Sequence, residues 1–186
     1  MVQNKNNIEL EIILILLRSK MHLREIARTL SESHSTVLRK INELIKENAL
    51  DFKKEGKNKV FFIKNNLKAK NYIHSAEIYK LNKLLRRYPE LTIILEDIKR
   101  NFKKGMIILF GSYAKGNPKS DSDIDIYIET KDNKIKNKLE QINSKLSIKC
   151  GEFDTNSLLI KEIIKNHIII RGVEDFYDRF KLFEEA

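Results

Sequence analysis

The tightest constraint on this 186-residue chain is a short apolar run that stops at a glycine. Met106-Ile107-Ile108-Leu109-Phe110 has the length and composition of a buried strand. Gly111-Ser112 follows at once, then Tyr113-Ala114-Lys115-Gly116 and a turn at Asn117-Pro118-Lys119-Ser120. A second strand is expected over Asp121 to Ile128. Side chains alternate along a strand, so Asp123 and Asp125 would share one face while Ile124, Ile126 and Ile128 pack on the other. Two carboxylates that close repel by about 4 kcal/mol at an effective dielectric near ~20. Folding normally avoids that or protonates one of them. A divalent cation between them removes the conflict, and Mg²⁺ suits the pair because it takes one or two carboxylates plus substrate phosphates.

Gly111-Ser112, ten intervening residues and Asp123-Ile124-Asp125 together resemble the signature of the polymerase-β-like nucleotidyltransferases. Each half alone would be an ordinary glycine turn or polar hairpin, but both are attached to apolar strands. Residues 102–186 resemble the minimal form of that domain. The resemblance implies that Gly111 and Ser112 cradle the phosphates and that Asp123 and Asp125 bind Mg²⁺. It further implies that a hydroxyl attacks the α-phosphorus of ATP or another nucleoside triphosphate, with pyrophosphate leaving. The family usually adds a third acid from a neighbouring strand. Here a crossover helix ends over Lys138 to Leu146, and Ser147 to Asp154 reads as that strand. Glu152 and Asp154 share a face by parity, and the shorter Asp154 suits a rigid metal or base position. Lys115, just past the turn, could touch the triphosphate, whereas Lys119 reads as solvated.

The charge is uneven. Lys and Arg number 36 against 26 Asp and Glu, a net +10, and residues 1–72 hold 15 basic against 8 acidic side chains. That excess faces either solvent or a polyanion. The local pattern favours the polyanion. Ile8 to Arg18 is expected as a helix, Met21 to Leu30 as a second, and Ser35 to about Asn48 as a third. The third would place Val37, Leu38, Ile41, Leu44 and Ile45 on its apolar face. Leu50 to Lys54, a turn at Glu55-Gly56-Lys57-Asn58, and Lys59 to Ile63 read as a hairpin. Residues 8–64 thus resemble the winged helix-turn-helix domains of prokaryotic regulators. The resemblance implies that the third helix enters the major groove of double-stranded DNA with Ser35, Thr36, Arg39 and Lys40 at base edges. Lys53, Lys54, Lys57 and Lys59 on the wing would neutralise phosphates. A small helical module for protein contact is the competing reading.

The expected fold class is α+β. A winged-helix domain occupies residues 1–66 and a helical connector or dimerisation segment residues 67–101. A small mixed-sheet nucleotidyltransferase-like domain occupies residues 102–186. The connector holds a helix from Leu67 to Tyr88 and a second apolar set from Leu91 to Phe102, separated by Pro89. Further on, Leu158 to Ile164 reads as an amphipathic helix, His167 to Gly172 as an edge strand, and Val173 to Phe183 as a last helix. The four histidines show no metal-ligand spacing, and Cys150 reads as a structural thiol. One cysteine and no apolar run approaching roughly 18 residues point to the cytoplasm rather than a membrane. The Met1–Asn7 segment makes a poor signal peptide.

The two resemblances together imply an Mg²⁺-dependent nucleotidyltransferase tethered to DNA, with AMP transfer to a protein hydroxyl as the expected reaction. The resemblance implies antitoxins that modify a helical toxin partner, and winged-helix proteins usually read paired half-sites as homodimers. The alternative is a transcriptional regulator whose second half senses nucleotide or no longer catalyses.

Overall fold

The computed structural model describes residues 7–180 and divides into two compact units, one up to Tyr79 and one from Lys80. In the first, the Asn7 side chain caps helix α1 (Ile8–Leu16) by accepting from the Leu10 amide at 3.3 Å. Met21–His22 is a two-residue strand, β1, and not the first turn of the next helix as its sequence suggested. Its partner across the sheet explains the difference, since Met21 pairs with Phe61 and His22 with Val60. Helix α2 (Leu23–Leu30) starts where Glu25 accepts from the His22 amide at 2.9 Å, and it ends at Ser31 in the left-handed region. Helix α3 (His34–Lys46) is capped by Ser33, which accepts from the Thr36 amide at 3.1 Å.

Strands β2 (Leu50–Glu55) and β3 (Asn58–Ile63) form the hairpin through a two-residue Gly56-Lys57 turn, with Gly56 at φ +61°. Ile12, Ile13, Ile26, Val37, Ile41 and Leu44 are fully buried among these elements, which is why three short helices hold together. Helix, strand, two helices and a hairpin pairing back to the strand is winged helix-turn-helix order. Helix α4 (Leu67–Arg87) follows, and the division between units falls within it.

The second unit is built on a four-stranded mixed sheet. Helix α5 (Leu91–Asn101) sends Leu91, Leu95 and Ile98 into its core. Strand β4 (Ile107–Leu109) leads into the short helix α6 (Gly111–Lys115). Strand β5 (Ile124–Glu129) pairs antiparallel with β4, and helix α7 (Asn133–Glu140) crosses over to β6 (Leu146–Gly151), parallel to β5. Helix α8 (Leu158–Lys165), edge strand β7 (Ile168–Arg171) beside β4, and helix α9 (Val173–Phe180) complete it. The end of the expected last helix, residues 181–183, lies outside the described residues, as does most of the Met1–Asn7 segment.

The sheet order is β6-β5-β4-β7. Ile124, Ile126 and Ile128 pack on one face with Ile107, Leu109 and Leu139. On the other, Tyr127 meets Phe153 at 6.2 Å between ring centroids, and Phe153 meets Phe176 at 5.4 Å. Both faces are therefore covered, and polar chemistry is left to the strand ends. No helix among the described residues is long and apolar enough to cross a membrane.

Candidate functional site

The turn after β4 is shaped around a carboxylate. Gly111 has φ +68°, and a Cβ there would overlap Oδ2 of Asp125 and come within 2.9 Å of its Cγ. The Phe110 amide donates to the Asp125 carbonyl at 3.0 Å, so the backbones of the turn and of β5 are tied at the same place. A glycine is required twice over, by its φ and by the close approach. Asp123 lies just before β5 and is exposed, while Asp125 is half-buried at the second strand position. The strand thus begins three residues later than expected. Even so, the two aspartates are close enough for Asp123 to raise the Asp125 pKa.

Burial pushes the Asp125 carboxyl up most. A hydrogen bond from Ser147 pulls it back, Asp123 raises it again, Lys149 lowers it, and Glu162 raises it. An acid resisted by its surroundings, with a second acid beside it, is a donor set that a hard divalent cation would relieve. The residues present therefore fit such an ion.

Asp154 is not brought to this pair. Strand β6 ends at Gly151, so Glu152 and Asp154 fall beyond it, and the expected strand parity does not apply to them. The parallel register sets Gly151 beside Glu129 and Ser147 beside Asp125. Chain leaving β6 therefore emerges at the far end of β5, four residues or about 13 Å from Asp125. There Asp154 caps a turn, accepting from the Asn156 amide at 2.9 Å. Glu152 pairs with Lys131 at 2.6 Å. Among the described residues no three acidic, histidine or cysteine side chains gather as a metal cluster. The position beside Asp125 on β6 carries a hydroxyl.

Ser112 is half-buried within α6, and Lys115 closes that helix. Lys115 reaches Glu162 on α8 at 2.9 Å, with each side chain about half exposed. Ser147, Lys149 and Glu162 were absent from the residue-level expectation. Only the parallel pairing of β6 and the docking of α8 bring them near Asp125.

The second candidate site is the outer face of α3 and the wing. Ser35 is exposed and Thr36 half-buried, and both hydroxyls join Ser33 in the cap network at 3.0 and 2.9 Å. Arg39 keeps 62% of its side chain exposed while pairing with Glu43 at 3.0 Å. Lys40 is a correction. Its ammonium is held by Glu9 of α1 at 2.7 Å and Glu43 at 2.6 Å, with the hydrogen bonds to both raising its pKa. It ties α3 to α1 instead of presenting itself at base edges. Lys53, Lys54, Lys57 and Lys59 are all exposed on the hairpin, with Lys59 Nζ 3.9 Å from the Phe52 ring centroid. Leu38, expected in the core, is 41% exposed on the outer face.

Comparison with known proteins bears on the second unit. Residues 91–175 match the family model described as a nucleotidyltransferase domain. No curated protein matches the chain. A crystal structure of the adhesin competence repressor AdcR from Streptococcus pyogenes is 20% identical and covers 53% of this chain and 80% of its own, with a TM-score of 0.34. A crystal structure of a toxin-antitoxin with AMP-PNP is 22% identical and covers 57% of this chain and 86% of its own, with a TM-score of 0.35. At these scores neither likeness adds to what the geometry carries.

Proposed function

We propose that this chain is a DNA-tethered, Mg²⁺-dependent nucleotidyltransferase that moves AMP from ATP to a hydroxyl on a protein. One observation carries the reading. The Gly111 turn is built in van der Waals contact with a half-buried Asp125, with Asp123 beside it, inside a stretch that matches a nucleotidyltransferase domain. Asp123 and Asp125 are the residues that would hold the divalent cation, which would neutralise phosphate charge when bound. Gly111 lets the phosphate-binding turn close against the Asp125 carboxylate because it has no side chain, and Lys115 supplies a positive charge one helical turn away. In the transfer, the acceptor oxygen bonds to the α-phosphorus and the bond to the β-phosphate bridging oxygen breaks. Pyrophosphate leaves, and the hydroxyl proton passes to solvent or to a base.

The exposed cations of α3 and the wing favour duplex DNA as the tether, read by a homodimer in the cytoplasm. A helical toxin partner is the acceptor that fits an antitoxin role. The test is incubation with Mg²⁺, α-phosphorus-labelled ATP and host lysate, beside an Asp123→Asn, Asp125→Asn variant. A labelled protein formed only by the wild type is the expected result, and no label in either sample overturns transfer.

A second reading has its own observation. Ser147, not an acid, stands beside Asp125 on β6. A regulator that binds Mg²⁺-ATP without transferring it would bind the nucleotide in calorimetry and label nothing.

A further inference from the structure

Leu38 stands where its spacing argues against it. Val37, Ile41 and Leu44 of α3 are fully buried, yet Leu38 leaves 41% of its surface in water. It lies on the outward strip with Ser35, Arg39, Asn42 and Lys46, and these residues with Glu43 line a shallow groove along the helix. Ser35, Leu38 and Asn42 follow one another at three- and four-residue steps, so their side chains are neighbours on one face. That face is the one a helix-turn-helix turns toward base edges.

The chemistry of the major groove leaves an exposed leucine one partner. Among the groups that distinguish the four base-pair edges there, the C5-methyl of thymine is the one projecting apolar group, and the others are hydrogen-bond donors and acceptors. A protein surface is a poorer fit. One leucine ringed by Arg39, Glu43, Lys46, Asn42 and Ser35 lacks the charge-depleted centre that protein interfaces have. The surrounding charge points the same way, with Arg24 and Arg28 exposed on α2 and the lysines exposed on the wing.

We propose that Leu38 is a specificity-determining residue that contacts the 5-methyl group of a thymine, between bases met by Arg39 and Asn42. The inference rests on the DNA-binding reading above and adds the base it selects. The full chain is used to select duplexes from a random library, and each selected thymine is then replaced by uracil, which removes only the methyl. Binding falls about three- to five-fold at one thymine, or at two related by symmetry, as expected for one buried methyl group. Leu38→Ala binds the thymine and uracil duplexes equally and melts with the wild type. Leu38→Met, which keeps an apolar tip, restores the discrimination. Uracil tolerated at every position overturns the inference while leaving DNA binding intact. No enrichment and no duplex binding overturns the DNA reading and the inference with it.

Discussion

Ser147 stands beside Asp125 in the parallel ladder of β5 and β6, and its hydroxyl holds the carboxyl's pKa down. That interaction favours the charged form of an acid that burial and Asp123 both disfavour. A hydroxyl here keeps Asp125 closer to ionised than its setting alone would allow. Ser147→Ala should therefore weaken divalent-cation binding several-fold while leaving the fold intact, measured by calorimetry and thermal unfolding.

The pH dependence follows from the same acid. The folded pKa of Asp125 is raised, so the folded protein keeps this proton to higher pH than the unfolded chain does. The stability it contributes is full below the ordinary aspartate value and is lost as pH rises through the folded value. With chelator present, Asp125→Asn should melt above the wild type at pH 7 and level with it near pH 3. Adding Mg²⁺ at pH 7 should raise the wild-type Tm and leave the variant unmoved.

Two glycines separate strain from contact. Gly111 and Gly116 have φ of +68° and +76°, so alanine at either costs about 1–2 kcal/mol for its backbone alone. At Gly116 the new Cβ meets only the tip of Arg87 at 3.5 Å, whereas at Gly111 it meets the Asp125 carboxylate. Gly116→Ala should lower the Tm and preserve Mg²⁺-ATP binding. Gly111→Ala should lower the Tm further and abolish that binding.

The Lys115–Glu162 pair is solvent-exposed, so it contributes little to stability and yields readily to a triphosphate. Glu162→Gln should leave the Tm unchanged and tighten ATP binding roughly two- to five-fold at low salt, fading as salt screens the charge. Lys115→Ala should weaken binding by about tenfold. Titration calorimetry at two salt concentrations reads both.

On the winged unit, Lys40 and the wing lysines should behave oppositely. Lys40→Ala removes the tie to Glu9 and Glu43 and should lower the Tm with little change in the salt slope of DNA binding. Lys57→Ala should leave the Tm alone, weaken all duplexes alike, and reduce the salt slope by about one. Unfolding curves and a salt titration of duplex affinity distinguish them.

Sequence alone determined the elements whose rules are local. The hairpin around Gly56, the turn at Gly111, and the half-buried Asp125 between buried Ile124 and Ile126 are written in neighbouring residues, because glycine φ and strand parity act over a few positions. The tertiary structure decided what depends on partners distant in the chain. Met21 and His22 form a strand because Phe61 and Val60 pair with them. Lys40 is a strut because Glu9 lies across from it, and Leu38 faces outward although its spacing suits a core. The resemblance called for a third acid and Asp154 suited it by its short side chain, but β6 ends at Gly151 and runs parallel to β5, which carries Asp154 to the far end and sets Ser147 beside Asp125. Strand direction and strand end are set by burial of both sheet faces against the whole domain, and no local window contains that sum.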